Sequence, residues 1–474
     1  MTDAAARALP EGVTTPIRRA LIRLALPVLA SQMLRLGYQW VDALWVRGLG
    51  VHATGAVTTS LFVMWSVYAL NDIFAIGITA YVSQLLGAGE RDRAGVAAYK
   101  GLRASALLGL VGTALGVFAA PRMFALMNPA PRAVESGAAY LAVVLGGSPF
   151  VLVGLTCEGI MRASGDTRTP LLIDLCAITL NAVLDPFLIY GWGPFPKLGV
   201  AGAAWATVFA QATMAAGFLL VAARGHCAFP LAWRAQGPPV HIGGMARVGA
   251  PAALIGMLFS VVYVAFARSA SRFGAASMAV VGIANRIEAL QFITSVAIGT
   301  AGAALVGQNL GARRPDRAVR VIRTGIAWNL WISGTLSALL IAWPQLFLAL
   351  FSRDAEVLRL GVPYIRILTL CLVVNGMEIV TTESVMGSGH TRALSWIFST
   401  FSLIRIPLAF WVPDWTGSGV LGIAWVITAT CLVRGFIIVG WAARGTWKRG
   451  LQRELHGGAP PGPVEPPPGA AGAA

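Results

Sequence analysis

The chain has 474 residues, of which 57% are hydrophobic and 12% charged, with a mean hydropathy of +0.71. Soluble globular chains carry about 25% charged residues, so this composition excludes a soluble enzyme or binding module and requires a polypeptide that crosses a bilayer many times. The formal net charge of +16 is read as basic loops against anionic headgroups, not as a nucleic-acid surface.

Residues 1–17 are polar and form a cytoplasmic N-terminal segment; no cleavable leader is evident, because the first apolar run is too long for one. Apolar runs then predict twelve spans. The first six lie near 17–46, 57–86, 102–127, 137–161, 170–190 and 199–223. A polar, Pro-containing linker follows at 224–245. The remaining six lie near 246–267, 276–306, 318–351, 361–386, 393–412 and 418–443. From 444 to 474 the composition turns to Pro, Gly and Ala, which cannot bury a core and predicts a disordered tail. Arg and Lys crowd the loops on the side of the N-terminus, including Arg91, Arg93, Arg162, Arg168, Arg247, Arg313, Arg314 and Arg392. By the positive-inside rule, and with an even number of spans, both termini are cytoplasmic.

Three polar positions stand out in the first half. Asn181 and Asp185 are four residues apart in the fifth span, so they share one helix face. Asp42 lies in the first span, with Tyr38 one turn before it. A carboxylate at membrane depth costs about 2.5–3.5 kcal/mol on insertion scales, and such residues are ordinarily retained for ion or proton handling. Pro186 directly follows the second acid and weakens the helix there. Asp42, Asn181 and Asp185 are therefore read as one cation or proton site. The five cysteines and five histidines form no paired or ligand spacing, and no phosphate-binding GxxxxGK[ST] is present. Neither a metal cofactor, nor ATP coupling, nor enzymatic chemistry is expected.

Shifted by 224 residues, the chain matches itself. Arg23 and Pro27 fall on Arg247 and Pro251; Ser83-Gln84-Leu85-Leu86-Gly87-Ala88 falls on Gly307-Gln308-Asn309-Leu310-Gly311-Ala312; Thr167-Arg168 falls on Thr391-Arg392. Six spans repeated after six spans form a parallel repeat, whose halves pack as two bundles (18–223 and 246–443) about a central pathway. The acids are not duplicated: Asp42 falls on Phe266, Asn181 on Arg405 and Asp185 on Ala409. The coupling chemistry is expected in the first bundle alone.

With these motifs in order, the chain resembles the multidrug and toxic compound extrusion (MATE) family of secondary transporters over 18–443. The carrying residues are Pro27 with Val41-Asp42, Val82-Ser83-Gln84 to Gly87-Ala88, Met161-Arg162-Ala163-Ser164-Gly165-Asp166-Thr167-Arg168-Thr169-Pro170, and Val306 to Ala312. Within the family it looks like the DinF-like branch, which has acids on spans one and five. That resemblance implies a site of Asp42, Asn181 and Asp185, joined by the Ala203 carbonyl and the Thr207 hydroxyl, with Tyr38 as a hydrogen-bond partner. These are hard oxygen donors, suited to sodium or a shared proton. Two features depart from family patterns. Span seven carries no acid, and Arg35 lies seven residues before Asp42, positioned to pair with it or to reach the interface. Residues expected to line a chamber are Arg35, Trp40, Met64, Trp65, Asp72, Glu158, Met257, Glu378 and Glu383.

The reading is an inner-membrane antiporter, acting as a monomer without cofactor or nucleic acid, that exports amphipathic and often cationic compounds against protons or sodium. Its rival is a flippase for lipid-linked saccharides, which Arg35, Arg286 and Arg405 would suit.

Overall fold

In a bilayer each backbone donor and acceptor must be satisfied within the segment, so long apolar runs fold as helices. The computed structural model describes residues 9–127, 131–225, 229 and 238–455, and among these every regular element is helical. The first half comprises α1 (Glu11–Thr14), α2 (Ile17–Arg47), α3 (Val51–Gly87), α4 (Arg91–Met127), α5 (Pro131–Gly146), α6 (Ser148–Ser164), α7 (Arg168–Tyr190) and α8 (Val200–Ala223). The second comprises α9 (Ile242–Ser271), α10 (Ala275–Gly311), α11 (Pro315–Ala342), α12 (Pro344–Ala349), α13 (Ala355–Met386), α14 (Arg392–Thr416) and α15 (Val420–Ala443). A 3-10 turn (Thr446–Arg449) and α16 (Gln452–Leu455) close the described chain.

Eleven of these helices are each long and apolar enough to cross a bilayer, and α5 with α6 makes a twelfth span bent by 51°. The bend falls at Gly147, with Pro149 at the start of α6. A proline in the first turn of a helix has no donor to lose, so it marks a new start and not a continuation. Gly147 is also tightly placed, since a Cβ there would come within 2.6 Å of Val208. The ninth span stops at Ala342, short of the expected 351, because Pro344 begins the separate α12. Several helices run beyond their apolar core into charged sequence, α4 starting at Arg91.

Helices α2 to α8 pack as one bundle and α9 to α15 as another, and the two meet along α2, α3, α9 and α10. The meeting is tightest at the end that carries the described terminal segments. A Cβ on Gly87 would lie 2.0 Å from the Gln308 carbonyl oxygen, and one on Gly311 would lie 2.0 Å from that of Gln84. Small residues let two backbones approach this closely. The repeat then supplies a matched pair of cross-bundle bonds. Gln84 Nε2 donates to the Gly387 carbonyl at 3.0 Å, and Gln308 Nε2 donates to the Ala163 carbonyl at 2.8 Å. This end is therefore shut.

Gly87→Val is expected to wedge it open. A cysteine placed at the buried Ser83 in a cysteine-free background should then react several-fold faster with a water-soluble maleimide; an unchanged rate would show that the glycine contact does not hold the closure.

The tail departs from expectation. Residues 446–455, expected to be disordered, are folded against the shut end, with Trp447, Leu451 and Leu455 all buried. Leu451 N–H donates to Gln84 Oε1 at 2.8 Å, Gln452 Nε2 to the Leu310 carbonyl at 2.9 Å, and Tyr81 O–H to Glu454 at 2.7 Å. Burial of an indole and two isobutyl groups offsets the ordering of a short segment. The remainder of the expected tail, 456–474, lies outside the described residues.

Candidate functional site

Asn181 and Asp185 sit one turn apart on α7, and both are buried, at 1% and 0% exposure. Neither the Asn181 amide nor the Asp185 carboxylate has a hydrogen-bond partner among the described residues. Pro186 has no N–H to give the Ala182 carbonyl, so the helix carries an unspent acceptor beside the acid. Asp42 comes from α2; its Oδ1 is also buried and unpartnered, and it lies within electrostatic reach of Asp185. Thr207, on α8, donates its hydroxyl to the Ala203 carbonyl at 3.0 Å. That commits its single hydrogen, so in the 3.2 Å contact with Tyr38 the tyrosine is the donor. The expected set of Asp42, Asn181, Asp185, Ala203, Thr207 and Tyr38 is thus drawn from α2, α7 and α8, which pack on one another. Its free lone pairs belong to carboxylate, amide and hydroxyl oxygens, a donor set for a hard monovalent cation or a proton. Among the described residues no group of three or more His, Cys, Asp or Glu is placed to hold a metal ion.

Arg35 does not pair with Asp42. Its guanidinium bridges Glu158 Oε2 at 2.7 Å and Asp174 Oδ2 at 3.0 Å, and Arg162 holds the other oxygen of Glu158. Seven residues of helix separate Arg35 from Asp42, about 10 Å along the axis. Four charges that cancel therefore form a separate layer nearer the shut end. Glu158, expected to line a chamber, is 2% exposed and spent on two arginines.

The other expected lining residues divide. Trp40 is two positions from Asp42, so it projects from roughly the opposite face of α2, and it is 60% exposed. Met64 is packed in the core of the first bundle beside Ala203. Both are corrected: Trp40 does not share the face of Asp42, and Met64, 3% exposed, is core packing and not an open chamber wall. Glu378 is likewise corrected, being buried in a 2.7 Å ion pair with Arg434. Asp72 on α3 and Glu383 on α13 are half-buried and within electrostatic reach of each other across the two bundles. Met257 is half-buried on α9. The Trp65 side chain lies outside the described residues.

Sequence reasoning missed Tyr140 and Tyr68. Tyr140 on α5 is 4% exposed and lies within electrostatic reach of both Asp42 and Asp185. Tyr68 on α3 sits beside Gln211 and feels Arg35. The available signal was a phenol hydroxyl in an otherwise apolar span, which has to find a polar neighbour. In the second bundle, Arg405 stands where the repeat has Asn181, and it donates to Thr430 at 2.7 Å and Cys431 Sγ at 2.8 Å. Glu288 accepts from Tyr263 at 3.3 Å, and Arg286 lies over the Phe351 ring at 5.6 Å.

Two six-span bundles in parallel repeat, shut at one end and holding an unpaired acidic pocket in one half, define a membrane transporter of the two-bundle class. The MatE family profile matches residues 27–187 and again 251–411, the same offset as the repeat, and the chain belongs to that family. A probable multidrug resistance protein NorM of Thermotoga maritima is 27% identical over 454 residues, covering 93% of this chain and 95% of that protein. A FAD transporter of Shewanella oneidensis is 25% identical, covering 89% and 94%. The fold is also that of a solved MOP-superfamily transporter from Pyrococcus furiosus, with a TM-score of 0.85 at 22% identity, covering 94% of this chain and 98% of the other. A MATE transporter solved in a bent conformation gives 0.86 at 23% identity, covering 92% and 98%.

Proposed function

We propose that this chain is a secondary antiporter of the DinF-like branch, exporting amphipathic, often cationic organic compounds in exchange for protons or sodium. The observation that carries this is the buried Asp185 carboxylate on α7 with the half-buried Asp42 on α2, whose Oδ1 is buried and unpartnered, beside an unpartnered amide, found in one half of a duplicated frame. A buried carboxylate without a partner costs several kcal/mol, roughly, unless a cation or proton accompanies it. Such a site is a loading point: cation or proton in one state, cargo in the other. Differential affinity for the two states then biases their equilibrium. The chain acts as a monomer in a bacterial inner membrane, with both termini cytoplasmic; the shut end is then the cytoplasmic one, and the pathway faces outward. The division into bundles at 18–223 and 246–443, joined by the linker at 224–245, supplies the two bodies that rock.

A second reading has one observation in its favour. Arg405 is a buried cation whose hydrogen bonds go to neutral groups, at the position repeated from Asn181. A cargo with a phosphate or carboxylate would suit it, and one relative bears the name FAD transporter. For the lipid-linked saccharide flippase, Arg35 no longer counts, being neutralised by Glu158 and Asp174. Proteoliposomes holding the wild-type chain separate these readings. A pH gradient and a sodium gradient are imposed in turn, with ethidium or FAD as cargo. The antiport reading predicts ethidium movement driven by one of the gradients; movement of FAD alone would transfer the proposal to the anionic cargo.

A further inference from the structure

We propose that the two terminal segments, 10–15 and 446–455, form a reciprocal clasp that locks this end of the molecule shut, so that the bundles part here only when both segments let go. The repeat builds one strap seat in each half. Gln84 and Gln308 are equivalent, and each donates its Nε2 to a carbonyl of the opposite half, Gly387 or Ala163, which are themselves equivalent. Arg93 and Arg317 are equivalent as well, at the starts of α4 and α11. Each seat is thus a buried glutamine with an arginine nine residues further on. Each is occupied by the terminus that extends the other half.

On the seat of the first half lies the segment that follows α15. Leu451 N–H donates to Gln84 Oε1 at 2.8 Å, Arg93 to the Leu455 carbonyl at 2.6 Å, and Tyr81 O–H to Glu454 at 2.7 Å. A Cβ on Gly450 would lie 2.7 Å from Gln84 Oε1. Leu451 and Leu455 complete the apolar cluster that joins α3 and α4 to Met245 and Val248 of α9. The same strap keeps a foot on its own half, where Gln452 donates to the Leu310 carbonyl at 2.9 Å. On the seat of the second half lies the segment that precedes α2. Asn309 Nδ2 donates to the Gly12 carbonyl at 3.3 Å, Arg314 to the Val13 carbonyl at 3.4 Å, and Arg317 to the Thr15 carbonyl. Val13 is fully buried, and a Cβ on Gly12 would lie 2.2 Å from Gln308 Oε1. In both halves an arginine thus holds a strap carbonyl, a bond stronger than one between neutral groups. Bonds between a strap and the facing bundle exist only while the bundles meet, so they bias the molecule toward the shut state. Each strap is tethered, so a released one rebinds from a high effective concentration and the lock is reversible.

The test is a distance between the bundles at this end. Spin labels are attached through Asp92→Cys and Asp316→Cys, exposed and equivalent positions on α4 and α11, in an otherwise cysteine-free full-length chain in lipid nanodiscs. Pulsed dipolar spectroscopy then gives the distance distribution. Leu455→Glu puts a charge into the apolar seat of the C-terminal strap, Arg317→Ala removes a donor to the N-terminal strap, and a third chain carries both changes. Each single variant is expected to raise the longer-distance population several-fold, and the combined variant to raise it further than either. A distribution unchanged in the combined variant would overturn the proposal, and a shift in only one of the single variants would overturn the reciprocity. Because the readout is a distance and not transport, its failure leaves the antiport reading standing.

Discussion

Asp185→Asn is expected to reduce gradient-driven cargo movement to the level of protein-free liposomes while leaving the chain as stable as before, or more so. Asp185 is 0% exposed and both its oxygens lack partners among the described residues. If its role were structural, the neutral amide would remove an interaction and lower the unfolding temperature. Among the described residues no such interaction is present to lose. What is lost is a removable charge, and with it the difference between loaded and empty states. Asp42→Asn should behave alike, because the two acids lie within electrostatic reach and share the pocket. Flux in proteoliposomes and thermal unfolding of the same preparations check both halves of the statement. Retained gradient-driven flux would remove these acids from the mechanism; a large fall in stability would make them structural.

Arg35→Ala is expected to have the opposite signature, a loss of stability. Removing one partner of a buried ion pair leaves a charge uncompensated and costs about 3–5 kcal/mol. Arg35 is 29% exposed, which argues for the lower end of that range. Glu158 would keep Arg162, but Asp174 would be left alone. Arg35→Ala combined with Asp174→Asn should therefore recover much of the loss. A denaturant or thermal series on the single and double variants measures this, and a double variant no better than the single would refute the pairing as the cause.

These two sites mark where sequence reasoning succeeds and where it stops. The spans, the duplication and the Asn181–Asp185 face were legible because each is a local pattern: an apolar run, a constant offset, a four-residue spacing. Arg35 was not, because its partners lie 123 and 139 residues away and no local pattern names them. The break at Gly147 was hidden inside a continuous apolar run, with Pro149 its sole sign. The segment 446–455 misled for a different reason. Its composition leads into a Pro- and Gly-rich tail, yet Trp447 and Leu451 find apolar surface on a folded bundle end that composition cannot display. Gln84 and Gln308 were visible as a repeated motif, but their bonds to carbonyls of the opposite half depend on how the bundles meet.

The central claim is that cation or proton and cargo compete through Asp42 and Asp185. The most direct measurement is the affinity of the purified chain for ethidium, read by fluorescence anisotropy, as pH is lowered or sodium is raised. Wild type should bind the dye progressively more weakly along one of these two series, and the Asp42→Asn/Asp185→Asn variant should show no dependence on that series. Competition that persists unchanged in the double variant would contradict the account, and would place the coupling group elsewhere in the molecule.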